Sequence, residues 1–174
     1  MDAAHLSRSG VVIVGEATTT AADREAVRAV LRQVVDPEIP VLTIDDIGIL
    51  RGVEFEGATV VVTITPTYSG CPAMDLIKDE VTAALHGAGH AEVEIRTVFS
   101  PAWTTDWMST EAKHKLNEYG IAPPQPAGAE RAPVLCPRCA ADTTHVVSEF
   151  GSTACKALIV CDACKEPFDY FKEI

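Results

Sequence analysis

The clearest hydrophobic pattern in the chain lies in residues 60–74. Side chains that suit a strand alternate between two faces over residues 60–65, and Pro66 ends the run. After a turn, apolar residues recur three or four positions apart and predict a helix; they are Met74, Ile77, Val81 and Leu85. Cys71 should therefore lie at the N-cap of this helix. Pro72 should take its first position, where a missing N–H costs nothing.

Similar periodicities predict the other elements of the first 120 residues. The predicted elements are a helix capped by Thr20 or Asp23, strands over residues 49–56 and 91–99, and a short helix between Ser109 and Gly120. The turn at Glu56-Gly57 should join the first two strands as a hairpin. The segment from residue 36 to 50 holds two prolines and paired aspartates, so we expect an ordered loop there.

Residues 121–133 are rich in proline, alanine and glycine and predict a semi-rigid linker to a second domain, residues 134–174. That second domain carries Cys136, Cys139, Cys161 and Cys164 as two CxxC pairs with 21 intervening residues. Two such pairs are typical of a tetrahedral thiolate site in an all-β zinc ribbon. A segment this short needs such a metal to fold. Zinc suits the four thiolates, and so does iron or an iron–sulfur cluster.

Charge and apolar content narrow the classes of partner. The net charge is −11, and neither part of the chain has a basic patch, which argues against nucleic acid and against anionic membranes. No apolar run approaches the roughly 20 residues that cross a bilayer. Residues 1–20 are expected to form a flexible arm whose apolar stretch is too short for a signal peptide. These features predict a cytoplasmic protein whose six cysteines bind metal or react rather than form disulfides.

Cys71 has two interpretations. A helix N-terminus favours its thiolate, and the neighbouring Thr67 and Ser69 supply hydroxyl groups, which together predict a reactive or metal-binding sulfur. Cysteine is also a common buried packing residue. The acidic pair Asp36 and Glu38 either caps its own loop or lines the pocket of this sulfur. No histidine stands in a recognisable setting as a general base, so a self-contained thiol enzyme is not expected.

Two residues of the predicted ribbon outside the CxxC pairs, Cys155 and His145, also have a possible ligand role. Cys155 lies among small apolar residues on a predicted strand over residues 154–160, so burial as a packing residue is the default. The functional alternative is an additional thiolate ligand for a cluster or an exchangeable metal. His145 is a less favoured substitute ligand on the predicted strand over residues 144–150.

Several motifs resemble known families. The segments DPEIPVLTIDDIGI and TPTYSGCPA resemble the small iron–sulfur cluster assembly domain of SufT-like proteins. The segments PAWTTDWMS, KLNEYGIAPP, CPRC, SEFGSTACKAL and KEPFDYFK look like the D subunit (PaaD) of the ring 1,2-phenylacetyl-CoA epoxidase system. This second match covers about residues 21–174, and its SEFGSTACKAL and EPFDYFK blocks are the most specific.

The resemblance implies an α+β domain over residues 21–120, with helices on one side of a small mixed sheet, followed by the ribbon. It implies an accessory of a multicomponent di-iron monooxygenase in phenylacetate degradation, rather than the subunit that carries out the ring chemistry. Cys71 matches the reactive cysteine that would transiently hold iron or a cluster, and the four CxxC cysteines match the metal-binding knuckles. The implied partners are the oxygenase or the iron–sulfur reductase subunit, and a homodimer is compatible with the sequence. The alternative is a structural or regulatory subunit that docks through its ribbon, with Cys71 as packing.

Overall fold

The computed structural model describes residues 20–126 and 132–174. These residues form two small sheets and three α-helices. Within these two ranges, no helix is both long enough and apolar enough to cross a bilayer. The predicted N-terminal arm lies outside the described residues apart from Thr20, and so does the part of the predicted linker from residue 127 to 131.

The first sheet is mixed, in the strand order β1-β2-β3. Strand β1 (Leu50–Glu56) and strand β2 (Thr59–Ile64) pair antiparallel, which confirms the predicted hairpin. Strand β3 (Val93–Thr97) pairs parallel to β2. A parallel neighbour requires a crossover, and helix α2 (Ala73–Gly87) provides it. The turn that enters this crossover contains Cys71.

Helix α1 (Ala21–Leu31) begins at its predicted cap but ends earlier than expected, at Leu31 and not at the loop that starts with Asp36. Helix α3 (Thr110–Tyr119) begins and ends on the predicted signals. Thr20 caps α1 in a reciprocal capping box with Asp23. Ser109 caps α3, and Gly120 ends it with a φ of 96°. The loop before β1 is ordered, as predicted, because backbone hydrogen bonds such as Asp36 N–H to Leu42 C=O (2.8 Å) close it on itself.

The first core forms between β2, α1 and α2. Val60, Val62 and Ile64 of β2 are fully buried, because their side chains belong to the same core as the apolar faces of the two helices. Helix α2 contributes the apolar stripe that its spacing predicted, with Met74, Ile77, Val81 and Leu85 all buried. The hydrophobic pattern therefore fixes the orientation of α2 and, with it, the position of the turn that carries Cys71.

The second sheet corrects the predicted linker. Its order is β4-β7-β6-β5, and β4 is Ile121–Ala122, which the sequence assigned to the start of a spacer. These two residues pair parallel to β7 (Pro167–Phe171). Strands β5 (Thr144–Ser148) and β6 (Lys156–Cys161) are close to their predicted positions, whereas β4 and β7 were missed. Below, "the ribbon" means the described residues from 121 onward, and "the first module" means residues 20–120.

The first module and the ribbon share one apolar core. Phe171 of β7 is fully buried and packs with the first module, where its ring centroid lies 6.2 Å from that of Trp103. The Thr105 N–H donates to the Ile174 carbonyl oxygen at 3.2 Å. A shared core and a backbone hydrogen bond hold the ribbon against the first module.

Candidate metal centre and thiol site

The four cysteines of the two CxxC pairs converge on one point in the ribbon. All four sulfur atoms lie within 4.8 Å of one another. The Sγ atoms of Cys136 and Cys164 are 3.7 Å apart, and those of Cys139 and Cys161 are 3.6 Å apart. Four thiolates around zinc, each bonded at about 2.3 Å, form a tetrahedron with edges of about 3.8 Å. The donor set and its spacing therefore fit one tetrahedral metal ion. We call this cluster the four-cysteine site.

The two knuckles have the same backbone design. The Ala140 N–H donates to the Cys136 carbonyl at 2.8 Å, and the Lys165 N–H donates to the Cys161 carbonyl at 2.9 Å. Ala140 and Lys165 each follow the second cysteine of a pair, and both have a left-handed φ, 59° and 63°. Residues with a Cβ adopt this conformation only when their surroundings hold them there. The same strained conformation recurs in both turns, and a single metal ion bound by all four sulfurs would hold both turns in place.

Backbone N–H groups favour the ionised form of one ligand. Hydrogen bonds from the N–H groups of Cys164 and Ala163 lower the pKa of Cys161 to about 7, although burial opposes them. A thiolate is the form that binds a metal, so these donors prepare the sulfur for coordination. The predicted set of four ligands is the set that the structure brings together.

Cys71 lies in the turn between β2 and α2, one residue further from the helix than predicted. Helix α2 begins at Ala73, and Pro72 occupies the N-cap without a side-chain cap. Cys71 is half-buried and packs against the first core. Its side chain therefore has one face in the protein and one face towards solvent.

The structure does not support the predicted low-pKa thiolate at Cys71. Burial raises the pKa of Cys71, and the charges of Glu38 and Asp36 raise it further. Hydrogen bonds from the Ala73 N–H and from the Tyr68 hydroxyl act in the opposite direction without outweighing them. The favourable effect of the helix N-terminus is present, but desolvation and the two acidic neighbours are stronger. The free sulfur therefore rests as a neutral thiol.

Asp36 has the predicted capping role and also an electrostatic effect on Cys71. Its Oδ1 accepts hydrogen bonds from the N–H groups of Glu38 and Ile39, both at 2.8 Å, so it caps its own loop. The same buried carboxylate acts electrostatically on Cys71. Burial raises the pKa of Asp36 and, together with the charge of Asp36, the pKa of Glu38. A sulfur donor therefore lies near two oxygen donors.

The remaining predicted residues of this turn differ in exposure. Thr67 is buried and Ser69 is exposed, and their roles stay predictions. At the start of the turn, the buried hydroxyl oxygen of Thr65 has no hydrogen-bond partner among the described residues. Buried polar atoms are normally paired, so an unpaired one beside this turn is unusual.

Cys155 lies next to the first module, in the turn immediately before β6 rather than on the strand. It is buried, as predicted, but it belongs to the core of the first module and not to the smaller core of the ribbon. Its Sγ lies 3.0 Å from Oγ1 of Thr153. Burial raises the pKa of Cys155, and the charge of Glu38 adds to that rise.

Lys156 is the residue that the sequence analysis missed. Its side chain is only 4% exposed, and Nζ lies 3.6 Å from Oδ2 of Asp169. Its positive charge lowers the pKa values of Asp36 and Glu38 against the effect of burial. A lysine inside an apolar strand pattern was the available signal, because a buried ammonium requires acidic partners.

Two family models match the chain. The model described as "PaaD zinc beta ribbon domain" matches residues 121–172, including the strand β4. The model described as "Iron-sulfur cluster assembly protein" matches residues 24–96, including Asp36, Glu38 and Cys71. The start of the ribbon match at residue 121 agrees with the start of β4.

Individual relatives match either most of the chain or about half of it. The chain is 52% identical over 147 residues to an Escherichia coli (strain K12) protein provisionally named as the D subunit of 1,2-phenylacetyl-CoA epoxidase, and the match covers 83% of this chain and 89% of that protein. It is 38% identical over 95 residues to the Bacillus subtilis (strain 168) Fe-S protein maturation auxiliary factor YitW, covering 53% of this chain and 92% of the relative. A crystal structure of a domain of unknown function, DUF59, from Bacillus anthracis matches with a TM-score of 0.50 and 32% identity, over 55% of this chain and 92% of that one.

Proposed function

Because the chain belongs to the family of the phenylacetyl-CoA epoxidase D subunit, we propose that it is an accessory protein that assembles metal centres for that monooxygenase system. It would receive iron or an iron–sulfur cluster as cargo at Cys71 and pass it to the oxygenase or reductase subunit. Its similarity to auxiliary factors for Fe-S protein maturation supports this role over ring chemistry. The proposal places this work in the cytoplasm, where thiols stay reduced.

The surroundings of Cys71 carry the proposal. A half-buried thiol lies beside two carboxylates, a phenol hydroxyl and the first N–H groups of α2. This arrangement offers sulfur and oxygen donors to a cation on one open side.

The raised pKa of Cys71 suits a cargo that must leave again. A metal ion bonds to the thiolate, so it must displace the thiol proton when it binds. A higher pKa makes the proton a stronger competitor and weakens the net affinity at a given pH. The negative charges of Glu38 and Asp36 attract the arriving cation and also raise this pKa. Binding is therefore easily reversed, as a transfer site requires.

The four-cysteine site of the ribbon has a different task in this proposal. Its four sulfurs already fit a tetrahedral ion, and its knuckles hold strained turns in place. Zinc supplies no redox chemistry in such a closed site but stabilises the fold around it. We therefore assign the ribbon a resident structural metal, zinc before iron or a cluster, and assign Cys71 the cargo.

The test replaces the wild-type chain in cells by Cys71→Ala or Cys71→Ser. We expect both variants to accumulate as folded protein while the epoxidase loses iron or cluster content and activity. Asp79→Asn is the matched control, because Asp79 is exposed on the same helix. A fully metallated and active epoxidase in the Cys71→Ala cells would contradict the proposal.

A structural or regulatory subunit remains the second candidate, and one observation favours it. The ribbon exposes several large apolar side chains, namely Leu135, Val146, Val147 and Phe150, each more than half exposed. Exposed apolar groups of this kind suit a stable protein interface. Stoichiometric co-purification with the oxygenase, unchanged by Cys71→Ala, would favour this candidate over transient assistance.

A further inference from the structure

We propose that the cargo site is built by both parts of the chain, with Cys155 of the ribbon as a second thiolate ligand beside Cys71. The inference rests on the proposed function, since it names the ligands of the same cargo. It also gives the ribbon a direct part in binding, beyond the metal of its own four-cysteine site.

The placement of Cys155 is the first observation. Its buried side chain packs in the core of the first module, against which Cys71 also packs. Two backbone hydrogen bonds fix the turn that carries it: Lys156 N–H to Thr153 C=O at 3.1 Å, and Lys172 N–H to Cys155 C=O at 3.0 Å. The ribbon therefore holds this sulfur within the apolar core of the first module.

Shared neighbours are the second observation. The carboxylates of Glu38 and Asp36 act on both sulfurs and raise the pKa of each. Burial raises the pKa of Tyr68 to about 12, and interactions with Cys71, Glu38 and Cys155 add to that rise. Both thiols therefore lie within electrostatic range of the same two carboxylates and the same phenol, at the contact between the ribbon and the first module.

The charges of this space suit a cation bound by thiolates. The titratable groups that face it are Cys71, Cys155, Asp36, Glu38, Tyr68 and Lys156. When a divalent cation bonds to both sulfurs, two protons leave for solvent and two thiolates form. The buried ammonium of Lys156 then offsets part of the negative charge that the carboxylates and thiolates share.

The potential ligand atoms of this group are farther apart than those of the four-cysteine site. Among the described residues, only the four CxxC cysteines bring three or more potential ligand atoms within 4.8 Å of one another. The sulfurs of Cys71 and Cys155 and the carboxylate of Glu38 must therefore move closer to hold an ion together. A site that closes only when loaded releases its metal more readily than a preformed cage.

The experiment uses the full chain, with zinc in the ribbon, titrated anaerobically with Co²⁺ as the probe. Zinc keeps the four-cysteine site because it binds such ligands more tightly than cobalt does. Thiolates bound to Co²⁺ give a near-ultraviolet charge-transfer band, and a sample with cobalt in the ribbon calibrates four sulfurs. We expect one further cobalt per chain, with about half of that band. Cys155→Ser and Cys71→Ser should each weaken this binding by about tenfold or more.

The outcomes separate the two proposals. If Cys155→Ser binds cobalt as the wild type does while Cys71→Ser does not, the second ligand is wrong and the proposed function stands. If neither substitution changes binding, or the wild type binds no second cobalt, both fail. His145→Ala is the control, since His145 is an exposed potential ligand on the same ribbon. If Cys155→Ser loses its zinc or its fold, the charge-transfer band of the wild type is the deciding measurement. A band with the intensity of one bound sulfur, instead of two, overturns the inference.

Discussion

The aromatic rings of Trp103 and Phe171 meet across the boundary between the first module and the ribbon, with centroids 6.2 Å apart and planes at 52°. Trp103 is itself held in place, because its indole N–H donates to the Ile47 carbonyl at 3.0 Å. The contact joins the ribbon to the first module, and both rings belong to one apolar core. The stabilities of the two parts should therefore be coupled.

Replacing Phe171 by alanine should destabilise both parts together. Removing a fully buried phenylalanine leaves a cavity and costs about 3–5 kcal/mol. Urea unfolding of the zinc-loaded chain, followed by tryptophan fluorescence and by zinc release, measures the loss. Phe150→Ala is the control, because this ring is 68% exposed. Loss of zinc with no change in the tryptophan transition would show that the two parts are independent.

Removing the ribbon metal should loosen strand β4 as well as the knuckles. Ile121 and Ala122 pair only with β7, whose other neighbour β6 ends at the metal-binding Cys161. After a chelator has removed the metal, the rates of amide hydrogen exchange should therefore rise in β4, β6 and β7. The amides of the β1–β2 hairpin serve as the internal control and should remain protected. Unchanged exchange across the ribbon would refute a structural metal.

Metal affinity at the cargo site should increase with pH. The pKa values of Cys71 and Cys155 are raised, mainly by burial, so both are neutral thiols below those values and protons compete with the metal. If both sulfurs bind, the logarithm of the cobalt affinity should rise by about two per pH unit near neutrality, and by about one in Cys155→Ser. Equilibrium dialysis at several pH values gives this slope. An affinity that does not change with pH would mean that the sulfurs are already ionised.

Gly48 should tolerate alanine less well than Gly57. Both have a positive φ, 79° and 62°, so each substitution carries the cost of a left-handed residue, about 1–2 kcal/mol. Only at Gly48 would the added Cβ also lie 2.8 Å from Cβ of Trp107. Gly48→Ala should therefore lower the free energy of unfolding by about 3 kcal/mol or more. Equal losses in urea unfolding would mean that the Trp107 contact is not tight.

Local signals predicted most of the first module. The alternation in β2, the apolar stripe of α2 and the caps Thr20 and Ser109 each depend on neighbouring residues in sequence. The four CxxC cysteines were equally clear, since their spacing is itself the signal. Strand β4 was missed because a two-residue strand depends on its partner β7, and the proline-rich sequence after it favours a linker.

The electrostatics of Cys71 were not predictable from local sequence. The helix N-terminus suggested a lowered pKa, but burial and the carboxylates of a loop more than thirty residues earlier decide the direction. Cys155 shows the same limit. Its small apolar neighbours indicated burial, but only the packing of the ribbon shows that it is buried beside the first module.

The most direct test of the central claim is the transfer of iron from Cys71 to a client. Purified chain loaded anaerobically with ⁵⁷Fe is mixed with an iron-free oxygenase or reductase subunit, and the isotope in the re-isolated subunit is measured by mass spectrometry. The account predicts transfer from the wild type and from Asp79→Asn, with little or none from Cys71→Ser that still carries its ribbon zinc. Equal transfer by Cys71→Ser would contradict it.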